Sequence, residues 1–206
     1  MLFRSREMIR KTVFAASIDD KMRNINGVFF EKDGKTIRMV CTDGHRLSIV
    51  EEENDESEKL KLEKGVVFPK KGLNELKRIL EEEKEEERIL FGFRGNNGIF
   101  KMGNLSMVMR LEDIEFPDYT VFIPKDTDKS LRVNRKRFLS SLKRVSLLSG
   151  EGSKVVRFSI SGGSAKKHST GKMEMRASST DYGEAYDEID LDYHGDDLTV
   201  TFNAAY

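Results

Sequence analysis

Tryptophan is absent from this 206-residue chain, cysteine occurs once, and proline and histidine occur three times each. A single cysteine, Cys41, excludes an internal disulfide, and its place in an apolar run marks a buried thiol rather than a nucleophile. His45, His168 and His194 have no metal-ligand spacing to one another or to the cysteine. Asp43 and His45 flank Gly44, but two such residues on a turn need not face each other. The segment Gly92 to Gly95 is not followed by the G-K-[ST] of a phosphate loop. No catalytic residue, metal or cofactor is therefore expected. No apolar run approaches the roughly 20 residues of a membrane helix. The charged stretch Met1 to Lys11 lacks the apolar core of a signal peptide. These absences predict a soluble, cytoplasmic, non-enzymatic protein.

What remains is ample for a core: 37% of residues are hydrophobic, and 35% are charged with 36 cations balancing 36 anions. Neutral total charge leaves open how the charges are distributed over the surface. The pattern of Phe3, Met8, Ile9, Thr12, Val13 and Ala16 predicts a helix from Met1 to Ser17. Asn26–Glu31, Thr36–Thr42 and Arg46–Val50 read as strands joined by turns at Asp33-Gly34 and Asp43-Gly44. The nearly all-charged stretch from Glu51 to Lys64 reads as a solvated loop.

The pattern then restarts. Val66 to Phe68 reads as a short strand, and Leu73, Leu76, Ile79 and Leu80 give a helix from Gly72 to Lys84. Strands Arg88–Phe93, Gly98–Met102 and Leu105–Leu111 follow. Glu112 to Lys129, which holds Pro117 and Pro124, reads as an extended linker. A third cycle opens at Leu131. Asn134 is a candidate N-cap for a helix over Arg135 to Leu148. Strands follow at Val155–Ser161, Met173–Ser178 and Ala185–Tyr193, with a Gly/Ser/Lys loop from Ser161 to Lys172. Leu198 to Phe202 would open a fourth cycle, with Asn203 as a candidate cap. The repeat is strand, helix, three strands, with a period of about 60 residues, longer than common solenoid repeats. The first cycle lacks its opening strand and the fourth is barely begun, which predicts an excerpt of a longer repetitive protein of α+β class.

The three predicted helices share a second feature. Opposite each apolar face lie cations: Arg6, Arg10 and Lys11; then Lys70, Lys71, Lys77 and Arg78; then Arg135, Lys136, Lys143 and Arg144. Acidic residues concentrate elsewhere, in Glu51–Glu58, Glu81–Glu87 and Asp181–Asp197. A phosphate-facing surface has this signature, and so does an ordinary solvated helix face.

Six collinear motifs carry a resemblance. N-G-V-F-F-E, M-V-C-T-D-G-H-R-L-S, F-P-K-K-G-L-N-E-L, F-P-D-Y-T-V-F-I-P, R-V-S-L-L-S and F-N-A-A-Y together resemble the bacterial sliding clamps, the beta subunits of DNA polymerase III, along almost the whole chain. The resemblance implies a DNA-clamp fold, with helices on one side and antiparallel sheets on the other. It implies a middle domain over 1–124, without its first strand, and the first half of a third domain over 125–206. It implies a processivity factor that encircles duplex DNA as a head-to-tail homodimer. Replicative and repair polymerases and the clamp loader would be tethered through short peptides.

The implied peptide groove is lined by Ile25, Thr42, Gly44, His45, Arg46 and Leu47. Pro117, Val121 and Phe122 join from the linker, and Asn203 and Tyr206 from the third domain. Ile25, Leu47, Val121 and Phe122 would form apolar wells. Gly44 would admit backbone, and His45 and Arg46 would fix register. Val121 stands where the family often has a basic residue. The implied DNA-facing set is Arg6, Arg10, Arg23, Asn24, Lys70, Lys71, Lys77, Arg135, Lys136 and Lys143. At Arg23 and Asn24 the aromatic residues common in the family are missing. Leu147 and Leu148 are the implied ring-interface pair. A peptide-binding module that does not encircle DNA is the alternative.

Overall fold

Two runs of antiparallel strands, each backed by helix, account for nearly all the regular structure. The computed structural model describes residues 5–17, 25–82, 89–149, 154–163 and 170–206. The chain divides into two units, Met1–Ile123 and Pro124–Tyr206.

In the first unit, helix α1 (Ser5–Thr12) runs into a 3-10 turn at Val13–Ala15. Strands β1 (Gly27–Asp33), β2 (Thr36–Thr42), β3 (Leu47–Glu53) and β4 (Val66–Pro69) follow. They form one sheet in the order β3-β2-β1-β4. Helix α2 (Lys70–Glu82) leads to a second sheet of β5 (Leu90–Phe93), β6 (Asn97–Met102) and β7 (Leu105–Arg110). A bridge from Val67 to Glu112 joins β4 to the end of this meander. The predicted stripe of α1 is buried at Met8, Ile9, Thr12, Val13 and Ala16. Thr12 is tolerated there because its hydroxyl donates to the Met8 carbonyl at 2.8 Å. Leu73, Leu76 and Leu80 of α2 are buried as the spacing predicts. Between the helices and the strands lies an aromatic cluster of Phe30, Phe68, Phe91, Phe93 and Phe100. Its closest pair, Phe91 and Phe100, is stacked at 4.7 Å. Burying each such ring is worth roughly 1.5–3 kcal/mol.

The second unit repeats the plan. Strand β8 (Arg132–Val133) precedes helix α3 (Arg135–Ser146). Strands β9 (Val155–Ser161), β10 (Gly171–Ser179), β11 (Gly183–Asp192) and β12 (Leu198–Asn203) complete it, in the order β12-β9-β10-β11-β8. Asn134 caps α3 as predicted: its side-chain oxygen accepts from the N–H groups of Lys136 and Arg137. The core here is aliphatic and methionine-rich, with Met173, Met175, Val156, Ile160, Ile189 and Leu191 around Val145 of the helix.

Several predicted assignments need correction. Helix α2 begins at Lys70, two residues before the predicted start. Helix α3 stops at Ser146, so Leu147 is its C-cap and Leu148 lies beyond it. The charged stretch after Glu53 is not a solvated loop throughout. Asp55–Lys59 is a 3-10 turn with Ser57 and Leu60 buried, and the Lys32 ammonium donates to both their carbonyls. The linker is also structured in part, with a 3-10 turn at Tyr119–Phe122.

Candidate functional site

The Asp43–Arg46 connection between β2 and β3 is held almost wholly by its own side chains. The register pairs Thr42 with Leu47, leaving four residues to reverse the chain. Gly44 takes φ 85°, a conformation that costs other residues a steric penalty. The Thr42 hydroxyl donates to the Arg46 carbonyl at 2.7 Å and accepts from the Gly44 N–H at 3.1 Å. One Asp43 oxygen accepts from the N–H groups of His45 and Arg46, and the other accepts Arg46 Nε at 3.1 Å. Burial opposes ionisation of Asp43, but these N–H donors and the guanidinium outweigh it and hold the carboxyl below its ordinary value. A second Arg46 nitrogen donates to the Phe14 carbonyl at 3.0 Å, and the guanidinium lies 5.4 Å from the centre of the Phe14 ring. Ser48 donates to the Lys11 carbonyl.

Arg46 is a brace between the turn and the end of the first helical segment. Asp43 is the residue the sequence reading missed as a builder of this turn. Its signal was present, since Asp before Gly with backbone N–H groups two and three residues on is an Asx-turn pattern.

The linker residues form a second element of the same unit. Asp118 caps the Tyr119–Phe122 turn, accepting from both the N–H and the hydroxyl of Thr120. Tyr119 is buried, whereas Val121 and Phe122 are 70% and 66% exposed. Phe116 stacks on Phe29 of β1 at 5.0 Å and 7°. Pro117 is half-buried. Strand alternation places Phe29, Glu31, Arg38, Val40, Thr42, Leu47 and Ile49 on one face of the sheet. Tyr119 lies on that face, so the linker turn and Leu47 share it. Ile25 is buried. In the second unit Asn203 ends β12, its side chain accepting from the Ala205 N–H at 2.9 Å, and exposed Tyr206 follows.

The helix cations sort into three groups. Lys11, Lys77, Arg78 and Arg144 face carboxylates: Glu7, Glu81, the Glu75 and Glu82 pair, and Asp187 respectively. Lys70 donates to the carbonyls of Ala16 at 2.9 Å and Ser17 at 3.4 Å, tying the start of α2 to the end of the α1 segment. Arg6, Arg10, Lys71, Arg135, Lys136 and Lys143 are exposed and form no ion pair with another described residue. Arg23, Asn24 and His168 lie outside the described residues. Leu147 is 82% exposed, and Leu148 is half-buried. Among the described residues no group of three His, Cys, Asp or Glu side chains could hold a metal, and no helix is long and apolar enough to cross a membrane.

The family model for the central domain of the DNA polymerase III beta subunit matches residues 4–118, and that for its C-terminal domain matches 120–206. The chain belongs to the beta sliding-clamp family. It is 32% identical to the beta sliding clamp of Haemophilus influenzae and 30% identical to that of Pseudomonas aeruginosa, each over 98% of this chain. It covers 51% and 52% of those proteins, so it spans about half the length of these clamps. Among solved structures, the sliding clamp of Bartonella birtlesii bound to griselimycin matches with a TM-score of 0.87 and 28% identity, over 100% of this chain and 54% of that one. The Thermotoga maritima beta subunit matches at 0.83 and 32%, over 100% and 53%. The helices and antiparallel sheets described above are thus the clamp fold.

Proposed function

We propose that this chain supplies the middle domain and the first half of the third domain of a sliding clamp. In the whole protein these parts act in a ring that encircles duplex DNA and tethers polymerases and the clamp loader through short peptides. The observation that carries the peptide-docking part is the braced Asp43–Arg46 turn beside Leu47, on the sheet face that also bears the exposed Val121–Phe122 turn. Apolar anchors on a rigid frame are what a short peptide needs, because a preorganised site loses little entropy on binding. Arg6, Arg10, Lys71, Arg135, Lys136 and Lys143 contact the DNA backbone without reading sequence, weakly enough to permit sliding. Leu147 and Leu148 contribute to the head-to-tail contact of the whole protein.

The deciding experiment is titration of a fluorescent pentapeptide of the Gln-Leu-x-Leu-Phe type against the chain, with Leu47→Ala as control. Saturable binding that weakens about tenfold in the variant is expected from loss of one buried anchor. Unchanged affinity in Leu47→Ala would remove the groove from this face.

A further inference from the structure

Tyr119 ties the linker to the sheet through a chain of polar contacts that crosses three strands. Its hydroxyl donates to Glu31 Oε1 of β1 at 2.5 Å. The same Glu31 oxygen lies 3.4 Å from Arg38 of β2, and Arg38 Nε donates to Glu51 of β3 at 2.5 Å. Glu31 and Arg38 are about three-quarters covered, with side-chain exposures of 26% and 25%. Burial and the bond to Glu31 push the phenol up to about 12, so it stays protonated as the donor. The Tyr119 ring also packs 6.4 Å from Phe29, beside the Phe116 stack. The segment is thus fastened at Phe116 and Tyr119 and capped at Asp118. Immediately after this anchorage come Val121 and Phe122, which face solvent, and Ile123, whose N–H donates to the Thr120 carbonyl at 3.3 Å.

We propose that Tyr119 is a positioning residue for peptide docking: the Tyr119–Glu31–Arg38 chain holds the linker turn so that Val121 and Phe122 stand preformed on the face that carries Leu47. This rests on the peptide-docking reading above. Two large apolar side chains left in water on a short linker would sample many positions, and ordering them would weaken binding. The hydroxyl removes that cost by fixing the turn beforehand. It touches no peptide itself.

The test uses the full chain with Tyr119→Phe, which keeps the ring and removes the hydroxyl. Glu31→Gln is the conservative companion, because its amide oxygen still accepts the phenol. Amide hydrogen exchange at Thr120 and Ile123, whose N–H groups are bonded within the turn, is measured without peptide, and affinity for the same pentapeptide is measured in parallel. Loss of a hydrogen bond to a charged acceptor predicts exchange about tenfold faster and peptide binding about tenfold weaker in Tyr119→Phe. Glu31→Gln should remain near wild type in both. In a Phe122→Ala background the further effect of Tyr119→Phe on affinity should vanish, since the side chain being positioned is gone. Faster exchange with unchanged affinity would overturn the proposal, as would unchanged exchange, or equal losses with and without Phe122. If wild type binds no peptide, the docking reading itself fails and Tyr119 loses its proposed role. The exchange difference would then register the anchor alone.

Discussion

The two units build one plan by different means. In each, a helix precedes a three-strand meander, and a further strand returns to pair with the first strand of that meander: β4 on β1, and β12 on β9. In the second unit β8 also covers the outer edge of β11, whereas no described strand pairs with the outer edge of β3. The first unit is centred on stacked phenylalanines, and the second on methionine and aliphatic side chains. The helices are moored differently too. The α1 segment is held by side chains that reach its carbonyls: Lys70 to Ala16 and Ser17, Arg46 to Phe14, and Ser48 to Lys11. Helix α3 is held by one carboxylate, Asp187, which accepts from Ser141 at 2.7 Å and Arg144 Nε at 3.0 Å. One topology therefore leaves the choice of fastening free. The first unit has put its fastenings beside the proposed peptide face.

The cores offer the largest contrast. Phe68→Ala should cost about 3–5 kcal/mol, near the upper end because four aromatic rings surround it. Phe158→Ala should fall near the lower end of that range, since among the described residues its ring neighbours are Phe138 and Phe202. Urea denaturation followed by circular dichroism checks both, and equal losses would erase the distinction between aromatic and aliphatic cores.

The moorings come next. Asp43→Ala strips partners from two backbone N–H groups and a guanidinium, and should cost about 2–3 kcal/mol together with most peptide affinity. Asp187→Ala should cost about 1–2 kcal/mol, because Arg144 is left in water, and should leave peptide affinity alone. Thermal denaturation and the peptide titration separate the two, and a peptide defect in Asp187→Ala would contradict the division.

Lysine and arginine on the helices sharpen the comparison further. Lys70→Met should lower stability by about 1 kcal/mol and leave the salt dependence of duplex DNA binding unchanged. Arg135→Ala with Lys136→Ala should change stability by less than about 0.5 kcal/mol each and flatten the salt slope by about one to two phosphate contacts. Anisotropy of labelled duplex across a sodium chloride series reads this. A normal slope in the double variant would move DNA off α3.

The smallest effect is in pH. Asp43 and Asp187 both ionise below their ordinary value in the folded chain. Their contribution is therefore complete above the unfolded carboxylate range, about 3.9, and is lost only as pH falls through the lower folded values. Melting temperatures between pH 8 and 5 should show no loss from either residue. Asp43→Asn and Asp187→Asn should each flatten the decline below about pH 4.

Much of this was legible in the sequence because local chemistry decided it. Thr36–Thr42 and Val155–Ser161 emerge as strands with their predicted bounds. Asn134 caps its helix, and Gly34 and Gly44 take the positive φ that their turns require. What the sequence concealed was partnership at long range. Lys70 and Arg46 look like free cations in a one-dimensional reading. They become struts because residues 54 and 32 positions earlier bring carbonyls within reach. Tyr119 looked like part of a loose linker, and its anchor Glu31 lies 88 residues away. Leu60 was hidden by the charges around it, since a buried leucine flanked by Lys59 and Lys61 carries no periodicity.

Cys41 is buried, as its apolar run predicts. It is fully buried on β2, its Sγ donates to the Gly27 carbonyl at 3.3 Å, and burial drives its ionisation up to about 12. It also stands one residue before the Thr42 turn. Because the thiolate is the reactive form, maleimide and disulfide reagents will pass over the native protein and find this sulfur only when β2 parts from β1. The chain thus carries its own clock for opening of the sheet behind the docking face. A cysteine introduced on an exposed surface can be labelled selectively while Cys41 is left in place.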